Sequence, residues 1–244
     1  MTLALREPIK RSKLYEQVVS RIVDAILTGE HPPGSLLPSE DELRQQYGVG
    51  RLAIREALLA LERLGITSFV PGVGIQVVVP TPQELVDKLD LGVLHYLAHA
   101  EGSHDHLREV RRALEVDIVR LATERATPDD IKRIERALQA ETTAIDDRPQ
   151  YLKADREFHH AIAAASHNPL FAALQSAIRR WIEAYPSTKV HVPGSDERSH
   201  ADHQRVFKAL KSKDADAAAR AMGEHLVVDY SLAGKLKRIK GKPL

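Results

Sequence analysis

Residues 37–66 run LPSEDELRQQYGVGRLAIREALLALERLGI, and their reading decides the architecture of the first third of the chain. Ser39 followed three residues later by Glu42 is a capping box, each residue satisfying a backbone N–H that a helix start leaves open. The spacing predicts a short helix to about Gln46, with Leu43 and Tyr47 turned inward. Gly48-Val49-Gly50 makes a tight turn. Ile54, Leu58, Leu61 and Leu64 then recur on one helical face as far as Gly65. Upstream, Leu14, Val18, Val19, Ile22, Val23, Ile26 and Leu27 form a second amphipathic stripe, closed by Gly29 and by Pro32-Pro33-Gly34. Downstream, Ile66–Val70 and Ile75–Val79 read as strands around the turn Pro71-Gly72-Val73-Gly74. Helix, helix, turn, helix and hairpin within 80 residues is the outline of a winged helix-turn-helix.

Pro80 and Pro82 bracket a linker, so the expected domains are residues 1–80 and 81–244. Beyond the linker every periodic segment is helical, at about 83–99, 107–126, 128–145, 150–166, 169–185, 197–211 and 214–233. Thr127-Pro128-Asp129-Asp130 is a helix start, with Thr as cap, Pro in the first turn and acids facing the positive end of the helix. Pro149, Pro169, Pro186 and Pro193 fall between segments, where proline costs nothing. The expected fold is mainly α: a winged head with a small β-hairpin, then an all-α bundle of about seven helices.

The composition narrows the chemistry. Of 244 residues, 43% are hydrophobic and 28% charged, enough apolar surface for a core, and aromatics at 5% make that core aliphatic. The absence of cysteine excludes disulfides, thiolate metal sites and a cysteine nucleophile. The opening MTLALREPIKRSK meets Arg6 too soon for a secretory signal, and no run approaches the roughly 18 apolar residues of a membrane span. A cytoplasmic protein without a membrane partner is expected. Net charge is +1, and residues 1–80 hold nine basic and nine acidic side chains, so bulk charge does not point to nucleic acid. Placement does. Arg51 and Arg55, one turn apart, are expected on the side of their helix opposite Ile54, Leu58 and Leu61. From a helix N-terminus such a pair reaches phosphates and guanine edges in a major groove.

The same stretch resembles the N-terminal domain of GntR-family bacterial transcription regulators. Leu37-Pro38-Ser39-Glu40, the Gly48-Val49 turn, Arg51, Arg55-Glu56-Ala57-Leu58 and the GVG wing turn stand at the family's spacing over about residues 13–79. The resemblance implies DNA contacts from Ser39, Arg51, Leu52, Arg55, Gly72 and Gly74. Four positions depart from the family pattern. Gly50 replaces a capping Ser or Thr, Asp41 stands where many members carry a phosphate-contacting arginine, Leu52 replaces a small polar residue, and Val73 a basic one. A homodimer on palindromic operator DNA is expected, one recognition helix per half-site.

Of twelve histidines only His31 precedes residue 81, so the second half carries a different chemistry. Asp155 and His159, four apart on one helix, share a face. His203 and His225 lie ten or eleven residues to either side of the turn near Lys213-Asp214, which in an antiparallel hairpin places them at a similar height, ~15 Å from the bend. Three imidazoles and one carboxylate converging in a bundle suit zinc, with nickel or manganese as alternatives. Taken alone, a histidine in such a bundle is more often a hydrogen-bonded core residue than a ligand. The segments EVRRALEVDIVRLATERAT, ADREFHHAIAAASHNPLF and HQRVFKALKSKDADAAARAMGEHL resemble the FCD ligand-sensing domain of FadR-type members of the same family. That resemblance implies one divalent metal per chain on Asp155, His159, His203 and His225. It implies a small carboxylate effector at the open metal position, met by Arg111 and by Asn168 of the NP turn. His160, His167 and His200 are not in matching positions. A metal-dependent hydrolase or lyase bearing a helix-turn-helix is the alternative, and it needs a placed general base. Glu157 and Glu224 neighbour the ligands in sequence, but helical spacing swings both away.

Overall fold

The computed structural model describes residues 13–184 and 194–240, with side chains as far as residue 227. Arg6 in the opening stretch and the boundary prolines Pro186 and Pro193 lie outside the described residues. The chain divides into two compact units between Leu85 and Val86.

In the first unit, α1 (Leu14–Leu27), α2 (Glu40–Tyr47) and α3 (Arg51–Leu64) precede the antiparallel strands β1 (Thr67–Val70) and β2 (Gly74–Val77). The expected capping box starts α2: Ser39 Oγ accepts from the Glu42 N–H at 3.3 Å, and Glu42 Oε2 accepts from the Ser39 N–H at 2.7 Å. Gly48 ends α2 and Gly65 ends α3, both left-handed, the conformation that glycine adopts without steric cost. Val18, Ile22, Leu43, Ile54, Leu58, Leu61 and Val77 form the core between these elements. The α1 stripe is narrower than its sequence suggests, because Leu14 and Leu27 at its ends are exposed. Leu64 on α3 is exposed as well.

The hairpin pairs Thr67 with Val77 and Val70 with Gly74. Its turn has the pattern of type II: Val73 N–H donates to Val70 C=O at 3.0 Å, Pro71 occupies the second position, and Gly72 supplies the positive φ of 75° at the third. A feature absent from the sequence reading completes the wing. The breaker segment after Pro33 lies along β2: Gly34 N–H donates to Val77 C=O, Val77 N–H to Ser35 C=O and Leu37 N–H to Ile75 C=O, all within 2.9 Å. The outer edge of the hairpin is therefore paired, not open.

The second unit holds α5 (Asp90–His99), α6 (Ser103–Arg125), α7 (Pro128–Thr143), α8 (Arg148–Ala165), α9 (Pro169–Glu183), α10 (Ser195–Lys211) and α11 (Ala215–Lys240); the short α4 (Pro82–Asp87) spans the division. The single helix expected over 83–99 is thus broken between Asp87 and Asp90. Side chains of α9 hold the break: Arg180 reaches Asp87 at 2.6 Å, and Trp181 Nε1 donates to Asp90 at 2.7 Å. The start of α6 comes a turn earlier than expected, after Gly102 at φ 70°, with the buried Ser103 hydroxyl bonded to Leu97 C=O.

A mostly aliphatic core of Ile118, Val119, Ala122, Ile134, Ile162, Val206, Leu210, Met222 and Leu226, with the ring of Phe158 among them, joins α6, α7, α8, α10 and α11. A second cluster of Val86, Leu97, Leu107, Ala177, Ile178 and Trp181 lies around α5 and α9. Between α10 and α11 the chain turns at Lys213, whose φ is 60°. The Lys213 ammonium donates to the Thr123 and Ala126 carbonyls at the end of α6, and the Asp214 carboxylate caps α11 at Ala217 N–H.

Candidate functional site

Two sets of polar residues stand out, one in each unit. On α3, Arg51 and Arg55 are one turn apart with side chains 59% and 56% exposed; they flank the buried face of Ile54, Ala57, Leu58 and Leu61 and do not oppose it, since Ile54 and Leu58 each stand three positions from one of them. Gly50 offers no side-chain cap to the N-terminus of α3, the end that carries the arginines. Leu52, between them, is 71% exposed, a large apolar side chain presented to solvent. Glu40 was not singled out from the sequence. Its Oε2 lies 3.1 Å from Arg55 Nε and 3.6 Å from Arg51 Nε, holding both guanidinium groups at once. Asp41 pairs with Arg44 instead. Ser39 caps α2, while Gly72 and Gly74 shape the wing turn beside the exposed Val73 and Phe69.

Inside the second unit lies a buried polar cluster on six helices. His159 of α8, His203 of α10 and His225 of α11 each present a ring nitrogen within 4.8 Å of the others. The Nε2 atoms of His203 and His225 are 3.2 Å apart. The Nε2 of His159 is buried and has no hydrogen-bond partner among the described residues. Asp155, one turn before His159, brings Oδ1 to 3.8 Å from His203 Nε2, while its other oxygen accepts from Arg179 of α9. The four expected residues thus lie together as two overlapping triads that share His203. The second triad is Glu141, Asp155 and His203.

Every imidazole has a carboxylate on its far side. His159 Nδ1 bonds Glu115 Oε2, and His203 Nδ1 meets Glu141 Oε1 at 2.8 Å. His225 Nδ1 faces Asp202 Oδ2 at 3.6 Å, a looser approach. His200 donates to the second oxygen of Glu141 at 2.9 Å, so this histidine, unplaced by sequence matching, belongs to the cluster's outer layer. His160 is exposed, and His167 binds Asp130. Phe158 stacks on His203 with ring centres 4.4 Å apart and closes one side.

Arg111, expected near an effector carboxylate, is 2% exposed and donates through Nε to Glu115 at 2.7 Å. Asn168 caps α9, accepting from Leu170 N–H at 3.1 Å, and its hydrogen bonds stay within the α8–α9 turn. Glu157 and Glu224 are exposed, as their helical phase requires.

The electrostatics follow from burial. Desolvation drives the His203 pKa down to about 3 and depresses that of His225, with neighbouring imidazolium charge adding to the effect, so both rings are neutral at pH 7. Desolvation also lifts Glu141 to about 7, against the hydrogen bond from His200. For Asp155 burial pushes up, but the Arg179 guanidinium and then the histidines outweigh it and hold the carboxyl below the usual carboxylate range. Glu115 is likewise held down, His159 and Arg111 overcoming its burial. Neutral imidazoles and an ionised carboxylate are the forms in which these groups ligate metals. The donor set fits a divalent ion. Three nitrogens and one oxygen are within zinc's usual repertoire, and His159 Nε2 is a buried acceptor that otherwise has no partner. Two ligand atoms bound to one ion at ~2.1 Å are separated by roughly 3.0–3.4 Å, a range that contains the His203–His225 spacing of 3.2 Å.

Among the described residues no helix is long and apolar enough to cross a membrane. Comparison with known proteins places both units. The model of bacterial regulatory proteins, gntR family, matches residues 14–77, and that of the FCD domain matches residues 106–227. The HTH-type transcriptional repressor NanR of Klebsiella aerogenes is 33% identical over 223 residues, covering 91% of this chain and 85% of the relative. NanR of Cronobacter sakazakii is 32% identical over 226 residues with the same coverage. Among solved structures, Streptococcus agalactiae GntR superposes with a TM-score of 0.59 at 29% identity, covering 89% of this chain and 99% of its own. The chain belongs to the gntR family of bacterial regulatory proteins, a DNA-binding transcription regulator and not an enzyme, with an FCD domain following its winged head.

Proposed function

We propose that the chain is a cytoplasmic repressor that binds a palindromic operator as a homodimer and is controlled by a small organic acid at a divalent metal in its helical unit. The observation that carries this reading is the buried convergence of His159, His203 and His225 with Asp155, the Nε2 of His159 having no hydrogen-bond partner among the described residues. Its similarity to relatives named as repressors supports the direction of control. When bound, zinc, or nickel or manganese in its place, supplies a Lewis-acidic centre at which a carboxylate or hydroxy-acid oxygen can bind.

The chain's own residues do the rest. Asp155 and His159 hold α8 to the site, His203 holds α10 and His225 holds α11, so occupancy ties three helices together. Glu115 and Asp155 offset the charges of Arg111 and Arg179, so the preference for an anionic effector over a neutral one would come from the bound cation itself. Asn168, at the cap of α9, is the proposed polar contact at the edge of that effector. In the head, Arg51 and Arg55 of each protomer enter a major groove. Leu52 lies against a thymine methyl there, and the wing glycines Gly72 and Gly74 allow close backbone approach to the phosphates. An effector alters operator affinity only by binding one arrangement of the helices more tightly than another.

The test is operator binding by fluorescence anisotropy at fixed salt, with metal-loaded and chelator-treated protein and a panel of two- to six-carbon hydroxy, keto and sugar acids. A metal-dependent response to at least one acid is expected. If the metal content of the purified protein is nil and added zinc, nickel or manganese changes neither melting temperature nor operator affinity, the reading is overturned.

A further inference from the structure

Two carboxylates outside the proposed ligand set stand directly behind two of the ligands. Glu115, on α6, divides its oxygens: Oε2 accepts from His159 Nδ1, and Oε1 accepts from Arg111 Nε at 2.7 Å. Glu141, on α7, does the same with other partners: Oε1 accepts from His203 Nδ1 at 2.8 Å, and Oε2 from His200 Nδ1 at 2.9 Å. Both glutamates are buried, at 3% and 0% exposure. Neither α6 nor α7 contributes a proposed ligand.

A neutral imidazole carries its proton on one nitrogen and offers a lone pair on the other, and only the latter binds a metal. An ionised carboxylate, the form Glu115 holds through neutral pH and Glu141 takes above about 7, is purely an acceptor, so at Nδ1 it requires the proton there and frees Nε2. The Nε2 atoms are the ones left to converge: those of His203 and His225 lie 3.2 Å apart, and that of His159 has no partner. A glutamate placed merely to neutralise Arg111 would put both oxygens on the guanidinium fork. Glu115 instead spends one on His159.

We infer that Glu115 and Glu141 are positioning residues of the metal centre. Each fixes its histidine as the Nδ1–H tautomer, aims Nε2 at the ion, and is itself locked from behind, Glu115 by Arg111 and Glu141 by His200. The inference rests on the metal reading above. It assigns to Arg111 a task inside the metal centre, and it extends the centre from the three ligand helices to α6 and α7. His225 is left out, because Asp202 is 3.6 Å from its Nδ1, beyond hydrogen-bond reach.

The test uses the full-length protein and zinc alone. Competition against a chromophoric chelator should show zinc bound about 10- to 100-fold more weakly by Glu115→Gln and by Glu141→Gln than by wild type. Long-range 1H–15N spectra of the metal-free wild type at pH 8.5, where Glu141 is ionised, should show His159 and His203 protonated on Nδ1. In Glu141→Gln, whose amide can donate as well as accept, that preference at His203 should be lost, and Glu141→Asp should keep it. Should Glu115→Gln fail to fold, Glu141→Gln and the wild-type tautomers still decide. Folded variants that bind zinc as tightly as wild type, or wild-type rings protonated on Nε2, overturn this inference while leaving the metal reading standing. A wild type that binds no zinc overturns both.

Discussion

Arg51 and Arg55 on α3 and Arg111 on α6 each pair with a glutamate, yet in different surroundings. The α3 arginines are more than half exposed and share one Glu40 oxygen. The Arg111–Glu115 pair is 2% and 4% exposed at its side chains, and the glutamate is further bound to His159. An exposed pair is worth about 0–1 kcal/mol and opens readily, which suits arginines that must move from Glu40 to DNA. A desolvated pair is costly to form and far costlier to break on one side. One unit keeps its charges available for a partner, and the other holds them fixed around a site.

The sharpest way to break this comparison is Glu115→Ala. It leaves Arg111 buried without its carboxylate, and should lower the stability of the metal-free protein by about 3–5 kcal/mol in urea unfolding. A loss below about 1 kcal/mol would place Arg111 in the same class as Arg55. Acid titration of the metal-free protein has the next largest expected effect. The unfolded chain protonates its histidines near pH 6.5, whereas folded His203 resists protonation until about 3 because it is buried, and His225 is lowered for the same reason. Stability should therefore fall as pH drops below about 6.5. Glu141, raised to about 7 by burial, works in the opposite sense, since the folded state holds its proton where the unfolded state does not. Glu141→Gln should steepen the acid loss, readable from melting temperatures between pH 7 and 4.5.

Zinc at a hundred times its dissociation constant should stabilise the protein by about 2.7 kcal/mol, and chelation should remove that increment. A melting temperature indifferent to chelation would remove the distinction between the two units. Arg51→Ala or Arg55→Ala should weaken specific operator binding by about 1–3 kcal/mol where the side chain meets a base. Each should leave folding stability within about 0.5 kcal/mol of wild type, as an exposed position predicts. Unchanged operator affinity in both would reassign the recognition face.

The head was legible in the sequence because its determinants are local. Ser39 and Glu42, three residues apart, start α2, and Gly48 and Gly65 end two helices by their own conformation. The pairing of Gly34–Leu37 with β2 escaped, since it depends on a strand some forty residues further on, and so did the contact of Glu40 with Arg51 and Arg55 across two helices. In the second unit, helical phase put Asp155 beside His159, and hairpin geometry brought His203 to His225. Glu115, Glu141 and Arg179 left no such trace. Each reaches the cluster from a helix of its own, and an isolated Glu on an amphipathic helix looks like a solvated one until tertiary packing covers it. Glu115 did carry a weak signal, standing four residues after Arg111 in the spacing of a helical ion pair. The break between α4 and α5 was hidden for the same reason, because the groups that hold it, Arg180 and Trp181, come from α9.

The Lys213 turn has a consequence for which lengths of chain the bundle accepts. His203 and His225 are 22 positions apart, and their nitrogens meet only because α10 and α11 leave the bend in one particular phase. Lys213, left-handed and tethered to the Thr123 and Ala126 carbonyls, anchors that bend to the end of α6. One extra residue in the turn would rotate everything downstream by about 100° about the α11 axis and carry His225 toward another face. A surface loop usually absorbs insertions and deletions; this one works as a ruler, its length setting the two histidines in register.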